Sequence, residues 1–236
     1  KRATNRKPYN KVLLEKALKE ELLATGSSVH LVEKQAEINI LAGVGALNEQ
    51  ILFSNQAMHR FFFGSLRWTA EEEKQNCRGL FIQTLELPKP AVPIFKIMKS
   101  WSWAKWLAKL GLPKNIAKQN AVLYASSGAF ALVLAEDESR ESYLRAGQVA
   151  ERLWLTATRL GLSVQPLTGI LFLNLKIKHD GGKDLLPEQI SLVKKGYQLI
   201  TETFKVQGKT LAMMFRLGKS EPPTAHSIRL EPEIEW

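Results

Sequence analysis

The sequence predicts an α+β domain built around a long central helix, and three stretches carry that prediction. Residues 144–160 repeat apolar side chains at spacings of three and four, the period of a helix with one buried stripe. Residues 129–135 form a nearly continuous apolar run, which is typical of a strand buried on both faces. Residues 210–217, TLAMMFRL, predict a second buried strand. Gly161 stands where a left-handed cap would end the helix.

The remaining elements are predicted from the same periodicities and from capping and turn residues. In chain order they are helices over residues 11–23 and 42–63, a capping box between Thr69 and Glu72, a short strand within residues 77–87 closed by Pro88, and a helix over residues 188–204. In the second helix, Glu49, Gln50 and Gln56 are expected on the polar face. Residues 28–32 and 37–41 are compatible with short strands or with helix ends, and residues 171–177 give no clear pattern.

The central helix leads into a short strand and a turn, LSVQPLTG, at residues 162–169. Pro166 fixes one backbone angle of this turn, and Gly169 permits an unusual one. A buried helix that feeds a strand and a Pro/Gly turn predicts a scaffold with a pocket lined by backbone at its mouth.

Composition limits the class of protein without choosing a function. The chain has 236 residues, of which 45% are apolar, and it contains no apolar run long enough for a membrane helix. A net charge of +10 predicts an anionic partner, such as nucleic acid, a membrane or a phosphate-bearing cofactor. The single cysteine, Cys77, excludes an internal disulfide and predicts a reducing compartment, so we expect a cytoplasmic protein.

Several kinds of active site lack support in the sequence. The four histidines have no paired ligand spacing, so no metal site is predicted. Ser126–Gly128 lacks the nucleophile elbow of a hydrolase, and Cys77 has no evident activating base. Neither a Walker loop nor a dinucleotide glycine fingerprint occurs.

Residues 89–119 differ from their surroundings, because they contain seven lysines and three tryptophans and no acidic residue. Such a segment could lie on a membrane surface or bind single-stranded nucleic acid. The alternative is a lid, insertion or dimer contact whose tryptophans pack on the protein. We favour this alternative, and expect no nucleic-acid partner and no membrane association.

Three motifs together resemble one family. They are RATNRKPY at residues 2–9, AGQVAERLWLTATRLGLSVQPLTG at residues 146–169, and FRLGKSEPPTAHSIRL at residues 215–230. In order and spacing they resemble the nitroreductase-like flavoproteins, and within that superfamily the branch of the mycobacterial Acg proteins and of modules fused behind a ThiF-type adenylating domain. Because the chain begins KRATN without methionine, we expect a single domain over residues 1–236 that is the C-terminal part of a longer protein.

The resemblance implies a fold and an activity. The fold would be an α+β nitroreductase-like domain, with a central mixed or antiparallel sheet flanked by helices around the long helix. The protein would be a homodimer that binds FMN, takes a hydride from NADH or NADPH and passes it through the flavin to a small-molecule acceptor. No catalytic side chain is implied, because the cofactor supplies the redox chemistry.

The resemblance also implies the residues that bind the cofactor. Arg2, Arg6, Ser227 and Arg229 would hold the phosphate, and Thr4 and Asn5 would lie near the ring. The turn would offer backbone amides to the ring from Gln165, Leu167, Thr168 and Gly169. Pro166 has no amide hydrogen and would fix the shape of the turn. From its charges alone, the N-terminal cluster favours a solvated basic arm, and the resemblance reverses that preference.

One departure from the family keeps an alternative open. Typical members carry a Pro-Ser-x-x-Asn-x-Gln-Pro-Trp stretch after the first helix, whereas this chain has ATGSSVHLVEK at residues 24–34. A second flavin contact is therefore missing. The competing hypothesis is a nitroreductase-like module with weak or lost flavin binding that serves in dimerisation or regulation. A third hypothesis is a membrane- or nucleic-acid-binding module that uses residues 89–119.

Overall fold

The computed structural model describes residues 2–230, where helices flank two sheets. The helices are α1 (Lys16–Leu23), α2 (Gln35–Ser54), α3 (Gln56–Ser65), α4 (Ala70–Gln75), α5 (Ala91–Ile97), α6 (Trp101–Lys109), α7 (Leu112–Tyr124), α8 (Arg140–Arg159), α9 (Gly169–Asp180) and α10 (Pro187–Phe204). The strands are β1 (Val29–Val32), β2 (Leu66–Arg67), β3 (Leu80–Phe81), β4 (Ala129–Ala135), β5 (Ser163–Pro166) and β6 (Thr210–Gly218).

The main sheet has four antiparallel strands in the order β1-β4-β6-β5. Strands β2 and β3 form a separate two-stranded parallel sheet. On the free side of β5, Thr4 pairs with Val164 in an isolated parallel bridge, so the N-terminal segment extends the main sheet at this edge. The predicted α+β architecture, with a sheet flanked by helices, is confirmed.

Side chains alternate along β4 between two cores. Phe130 and Leu132 pack on the side covered by α2, α9 and α10, whereas Ala129, Ala131 and Val133 pack on the side of α8 and α1. Every residue of β4 is buried, which confirms a strand covered on both faces. The central helix is α8, and Gly161 follows it with a φ of 72°, as the cap requires.

The first helix begins later than the sequence predicts. It starts at Lys16 and not near Lys11, because the backbone before it bonds elsewhere. The amide of Asn10 donates to Lys219 O at 2.8 Å, and the amide of Lys11 donates to Ser126 O at 2.9 Å. These long-range bonds hold residues 10–11 beside Lys219 and Ser126, and Lys11 has a left-handed φ of 55°, so the helix does not begin there.

Two further expectations are corrected. The predicted helix over 42–63 is two helices, because Asn55 leaves the helical conformation and its side chain accepts a hydrogen bond from the Met58 amide at 3.0 Å, capping α3. Residues 77–87 contain only the two-residue strand β3, followed by a 3-10 turn at Ile82–Leu85.

The open alternatives resolve as a strand at Val29–Val32, a helix through 37–41 and a helix through 171–177. The Thr69 cap is confirmed, at 3.1 Å from the Glu72 amide.

The lysine- and tryptophan-rich residues 89–119 form α5, α6 and most of α7. Phe95 and Met98 lie in a small aromatic core with Phe53 and Phe63, and Ala104 anchors α6. Trp103 and Trp106 remain more than half exposed. Among the described residues, no helix has both the length and the apolarity to cross a membrane.

Candidate functional site

The N-terminal segment is fixed along β5 by backbone and side-chain bonds. The Asn5 amide donates to Val164 O at 2.9 Å, beside the Thr4 bridge. The buried Asn5 side chain donates to Ser163 Oγ at 2.9 Å and to Glu221 O at 2.8 Å, and it accepts from the Lys7 amide at 3.0 Å. Its polar atoms are therefore already bonded to the protein, and its position supports the fold of the segment.

Arg216 is the buried hub that joins this segment to the sheet, and the sequence analysis did not single it out. Its guanidinium is fully enclosed and donates to Gln165 Oε1 at 2.7 Å and to Lys7 O at 2.8 Å. The same group lies 3.9 Å from the centre of the Tyr9 ring. Burial lowers the pKa of Arg216, and the neighbouring tyrosines oppose that shift. A charged residue inside the apolar run TLAMMFRL is the signal that could have identified it.

The predicted turn lies where β5 passes into α9. The Leu167 amide donates to Met214 O at 2.8 Å, so it is engaged in the sheet. The first bond of α9 runs from the Phe172 amide to Thr168 O, and Thr168 makes no side-chain cap. Within residues 2–230, the amides of Gly169, Ile170 and Leu171 thus donate to no protein acceptor. They form the positive end of a helix of 12 residues.

Gly169 lies so close to α2 that no larger residue fits. A Cβ atom at this position would stand 2.1 Å from Asn48 Oδ1. The contact sets the start of α9 against the turn of α2 that contains Asn48 and Glu49. Only glycine allows this approach, which is a physical reason for the glycine in PLTG.

Glu49, a partly buried residue whose carboxylate is enclosed, lies near Arg6 of the N-terminal segment. Glu49 Oε1 accepts a hydrogen bond from the Tyr124 hydroxyl at 3.2 Å, and Glu49 Oε2 is enclosed without a partner among the described residues. Burial raises the pKa of Glu49 to about 7, while Tyr124, Asn48 and Arg6 favour its ionised form. The expectation that Glu49 lies on a solvated polar face is wrong, because α7 and the N-terminal segment cover this part of α2.

Arg6 belongs to the same cluster. Its Nη1 donates to Thr84 O at 2.8 Å. Burial lowers the pKa of Arg6, and the nearby Tyr124, Tyr9 and Glu49 oppose that effect. Arg6 therefore faces the side of the sheet that α2 and α7 cover.

Arg2 and Arg229 meet at a different place. The Arg2 Nε lies 2.7 Å from Glu151 Oε1, and its guanidinium lies 4.7 Å from the centre of the Trp154 ring, so Arg2 contacts α8. The exposed Arg229 donates to Arg2 O at 2.6 Å. Ser227 is exposed nearby in the chain. The structure brings Arg2 and Arg229 together, whereas Arg6 contacts the helices on the opposite face of the sheet.

Comparison with known proteins supports the fold assignment. No family model matches the chain. An uncharacterized protein of Mycobacterium tuberculosis is 23% identical over 208 residues, which are 87% of this chain and 28% of that protein. The chain thus spans little more than a quarter of that relative's length.

Solved structures give the class of fold. A nitroreductase with bound FMN from Desulfitobacterium hafniense aligns with a TM-score of 0.51 and 7% identity, over 100% of this chain and 94% of that one. The FMN-dependent nitroreductase NfnB from Mycobacterium smegmatis, solved in complex with NADPH, aligns with a TM-score of 0.49 and 10% identity, over 93% and 84% of the two chains. The chain has the nitroreductase-like fold.

Proposed function

We propose that the chain is a nitroreductase-type oxidoreductase module that holds FMN at the edge of the main sheet beside β5. The observation that carries the proposal is the pairing of the N-terminal segment with β5. It sets the two predicted cofactor-binding segments side by side, although Asn5 and Ser163, which are hydrogen-bonded there, are 158 positions apart.

The residues at this edge fit a flavin ring. The unbonded amides of Gly169, Ile170 and Leu171 are donors for its polar atoms. Thr4, beside Val164, lies at the same edge. The buried Gln165 acts through Arg216, which it orients, and Leu167 and Pro166 fix the path of the turn.

The phosphate would lie near Arg2 and Arg229, with Ser227 two positions before Arg229 in the chain. Arg229 already contacts the Arg2 carbonyl, so its guanidinium lies beside the Arg2 backbone. Arginine offers planar, paired donors that suit a phosphate. For Arg2 to bind the anion, its contact with Glu151 has to be exchanged or shared. Arg6 would lie at the ring end of the site, near Glu49 and Tyr124.

FMN, when bound, supplies the redox chemistry by taking a hydride from NADH or NADPH and giving electrons to a small-molecule acceptor. The protein binds the cofactor, orients it and excludes water. We assign no general acid or base. The module would be a cytoplasmic homodimer that completes the site with residues from both subunits, and it would be part of a longer protein of the Acg-like or ThiF-fused branch.

The absorbance spectrum of the purified protein, with and without added FMN, tests this function. We expect flavin bands that bleach on anaerobic addition of NADH or NADPH and return with an electron acceptor. Light scattering at micromolar concentration should give the mass of a dimer. A flavin-bound protein with the mass of one chain would contradict the shared site.

A second candidate function is favoured by two contacts. Arg2 is already paired with Glu151, and the polar atoms of Asn5 are already bonded to the protein. Together with the missing second motif, this supports a module that has weak or lost flavin binding and serves in dimerisation or regulation. A colourless dimer that does not bind added FMN would decide for this candidate.

A further inference from the structure

A groove separate from the β5 edge runs between α3 and α6. It consists of two connected hollows of about 300 Å³ and 730 Å³, which share Gln56, Arg60 and Trp101 in their linings. Helix α3 contributes side chains spaced by three and four, and α6 does the same from Trp101 to Lys109. Both hollows are open to solvent, and the larger has room for a small organic molecule.

The floor of the groove is aromatic and uncharged. The buried His59 donates from Nε2 to Met98 O at 2.7 Å, and its ring lies 4.4 Å from the Phe63 ring and 5.1 Å from the Trp101 ring, centre to centre. Burial lowers the pKa of His59, so the ring is neutral at pH 7. Trp101 is half-buried at the junction of the two hollows, where one ring face can meet a flat ligand.

The rim of the groove is positively charged. Its basic side chains are exposed and form no ion pair with any of residues 2–230: Arg60, Lys99, Lys105 and Lys109. Asp184, the acidic residue of the lining, lies 3.2 Å from Lys176, which also pairs with Asp180 at 2.6 Å, so the four cations of the rim outweigh the negative charge that remains there. Several uncompensated cations around an apolar hollow attract an anion and hold it at the rim.

We propose that the groove between α3 and α6 is a second binding site, for a small organic anion with a flat apolar body and a phosphate, sulfonate or carboxylate group. The flat body lies against Trp101 and the aromatic floor. The anionic group meets Arg60, whose planar guanidinium can give two parallel hydrogen bonds, with the lysines around it. Trp103 and Trp106, which do not line the groove, take no part.

Calorimetric titration with 1-naphthyl phosphate, in the presence of saturating FMN, tests the site. We expect one saturable site per chain, and binding at least tenfold weaker for 1-naphthol and for inorganic phosphate, because each probe lacks one half of the ligand. Arg60→Ala should weaken 1-naphthyl phosphate about tenfold or more, since a charge-assisted contact is lost. Lys118→Ala, an exposed charge on α7 outside the groove, is the matched control and should bind as the parent does.

A second pair of variants tests the aromatic floor independently of charge. Trp101→Ala should weaken the probe, and Trp103→Ala should not; circular dichroism spectra establish that both remain folded. If Trp101→Ala unfolds, the comparison of Arg60→Ala with Lys118→Ala decides alone. Equal losses in Arg60→Ala and Lys118→Ala, equal affinity for 1-naphthyl phosphate and 1-naphthol, or displacement of the probe by FMN would each overturn the proposal.

Discussion

The Nε of Arg216 donates a 2.7 Å hydrogen bond to Gln165 Oε1 in a fully enclosed site at the junction of β5 and β6. The same guanidinium bonds to the Lys7 carbonyl, so one side chain fixes both the strand before the predicted cofactor turn and the N-terminal segment. Removing one partner of a charge-assisted hydrogen bond in an enclosed site leaves the other partner buried without a bond, which costs stability. We therefore expect a substitution of Arg216 to disturb the site.

Replacing Arg216 should destabilise the whole domain. Arg216→Ala leaves the Gln165 amide oxygen and the Lys7 carbonyl without the donor that Arg216 supplies, and we expect the free energy of unfolding to fall by about 3 kcal/mol or more. Urea unfolding measures this loss. Arg140→Ala, at an exposed arginine of α8, should change stability by less than about 0.5 kcal/mol. Comparable losses in the two variants would show that Arg216 is not a hub.

Glu49 should make stability depend on pH. Its folded pKa of about 7 lies above the ordinary value of 4.5, so the folded state holds the proton more tightly than the unfolded state does. The resulting stabilisation is fully present below pH 4.5 and is lost as the pH rises through 7. Its size is on the order of 2–3 kcal/mol. Urea unfolding of the parent at pH 4.5, 6 and 8 measures this decline.

Glu49→Gln should remove the decline between pH 4.5 and 8, because glutamine carries no titrating proton. Glu188→Gln, at an exposed glutamate at the start of α10, should retain it. A decline of the same size in the Glu49 variant would assign the pH dependence to another group.

Gly169→Ala should disturb the predicted ring site through a steric clash. The new methyl group would stand 2.1 Å from Asn48 Oδ1 and 2.9 Å from Asn48 Cβ, so the Asn48 side chain has to turn and the two helices have to move slightly apart. We expect lower stability and FMN binding at least tenfold weaker. The matched control is Gly43→Ala on α2, where a methyl group meets nothing within 4 Å and should be neutral or stabilising. Rescue of Gly169→Ala by Asn48→Ala would confirm the contact, and independent effects would refute it.

The phosphate contact can be separated from the ring contact with two ligands. Arg229→Ala should weaken FMN about tenfold to a hundredfold, because it removes a charge-assisted bond to a doubly charged group. Riboflavin lacks the phosphate and should bind almost equally to parent and variant. Flavin fluorescence titration measures both affinities. Equal losses for the two ligands would mean that Arg229 acts through the Arg2 carbonyl on the fold of the N-terminal segment.

The sequence predicted the buried strands and long helices well because their patterns depend on local periodicity. The continuous apolar run of β4 and the three-and-four spacing of α8 need no knowledge of distant residues. The start of α1 was misplaced for the opposite reason. Its preceding residues bond to Ser126 and Lys219, which no local pattern contains.

The candidate site was partly predictable in the same sense. Pro166 and Gly169 indicate the turn at Gln165–Gly169. The basic charges indicate the N-terminal motif. Glu49 gave no local signal, because a glutamate beside polar residues on a helix resembles any solvated face. Its burial depends on Tyr124 and Arg6, which reach it from other parts of the chain. The place where two distant segments meet cannot be read from either one.

The pairing of the N-terminal segment has a consequence for biosynthesis. Lys7 is held by the Pro222 carbonyl and Asn5 by the Glu221 carbonyl, over separations of 215 and 216 positions. Because residues 221–222 are synthesised after the N-terminal segment, the edge beside β5 cannot close before they have left the ribosome. Contacts of such long sequence separation form slowly. A cofactor at this edge would therefore be enclosed only after residues 221–222 have been synthesised.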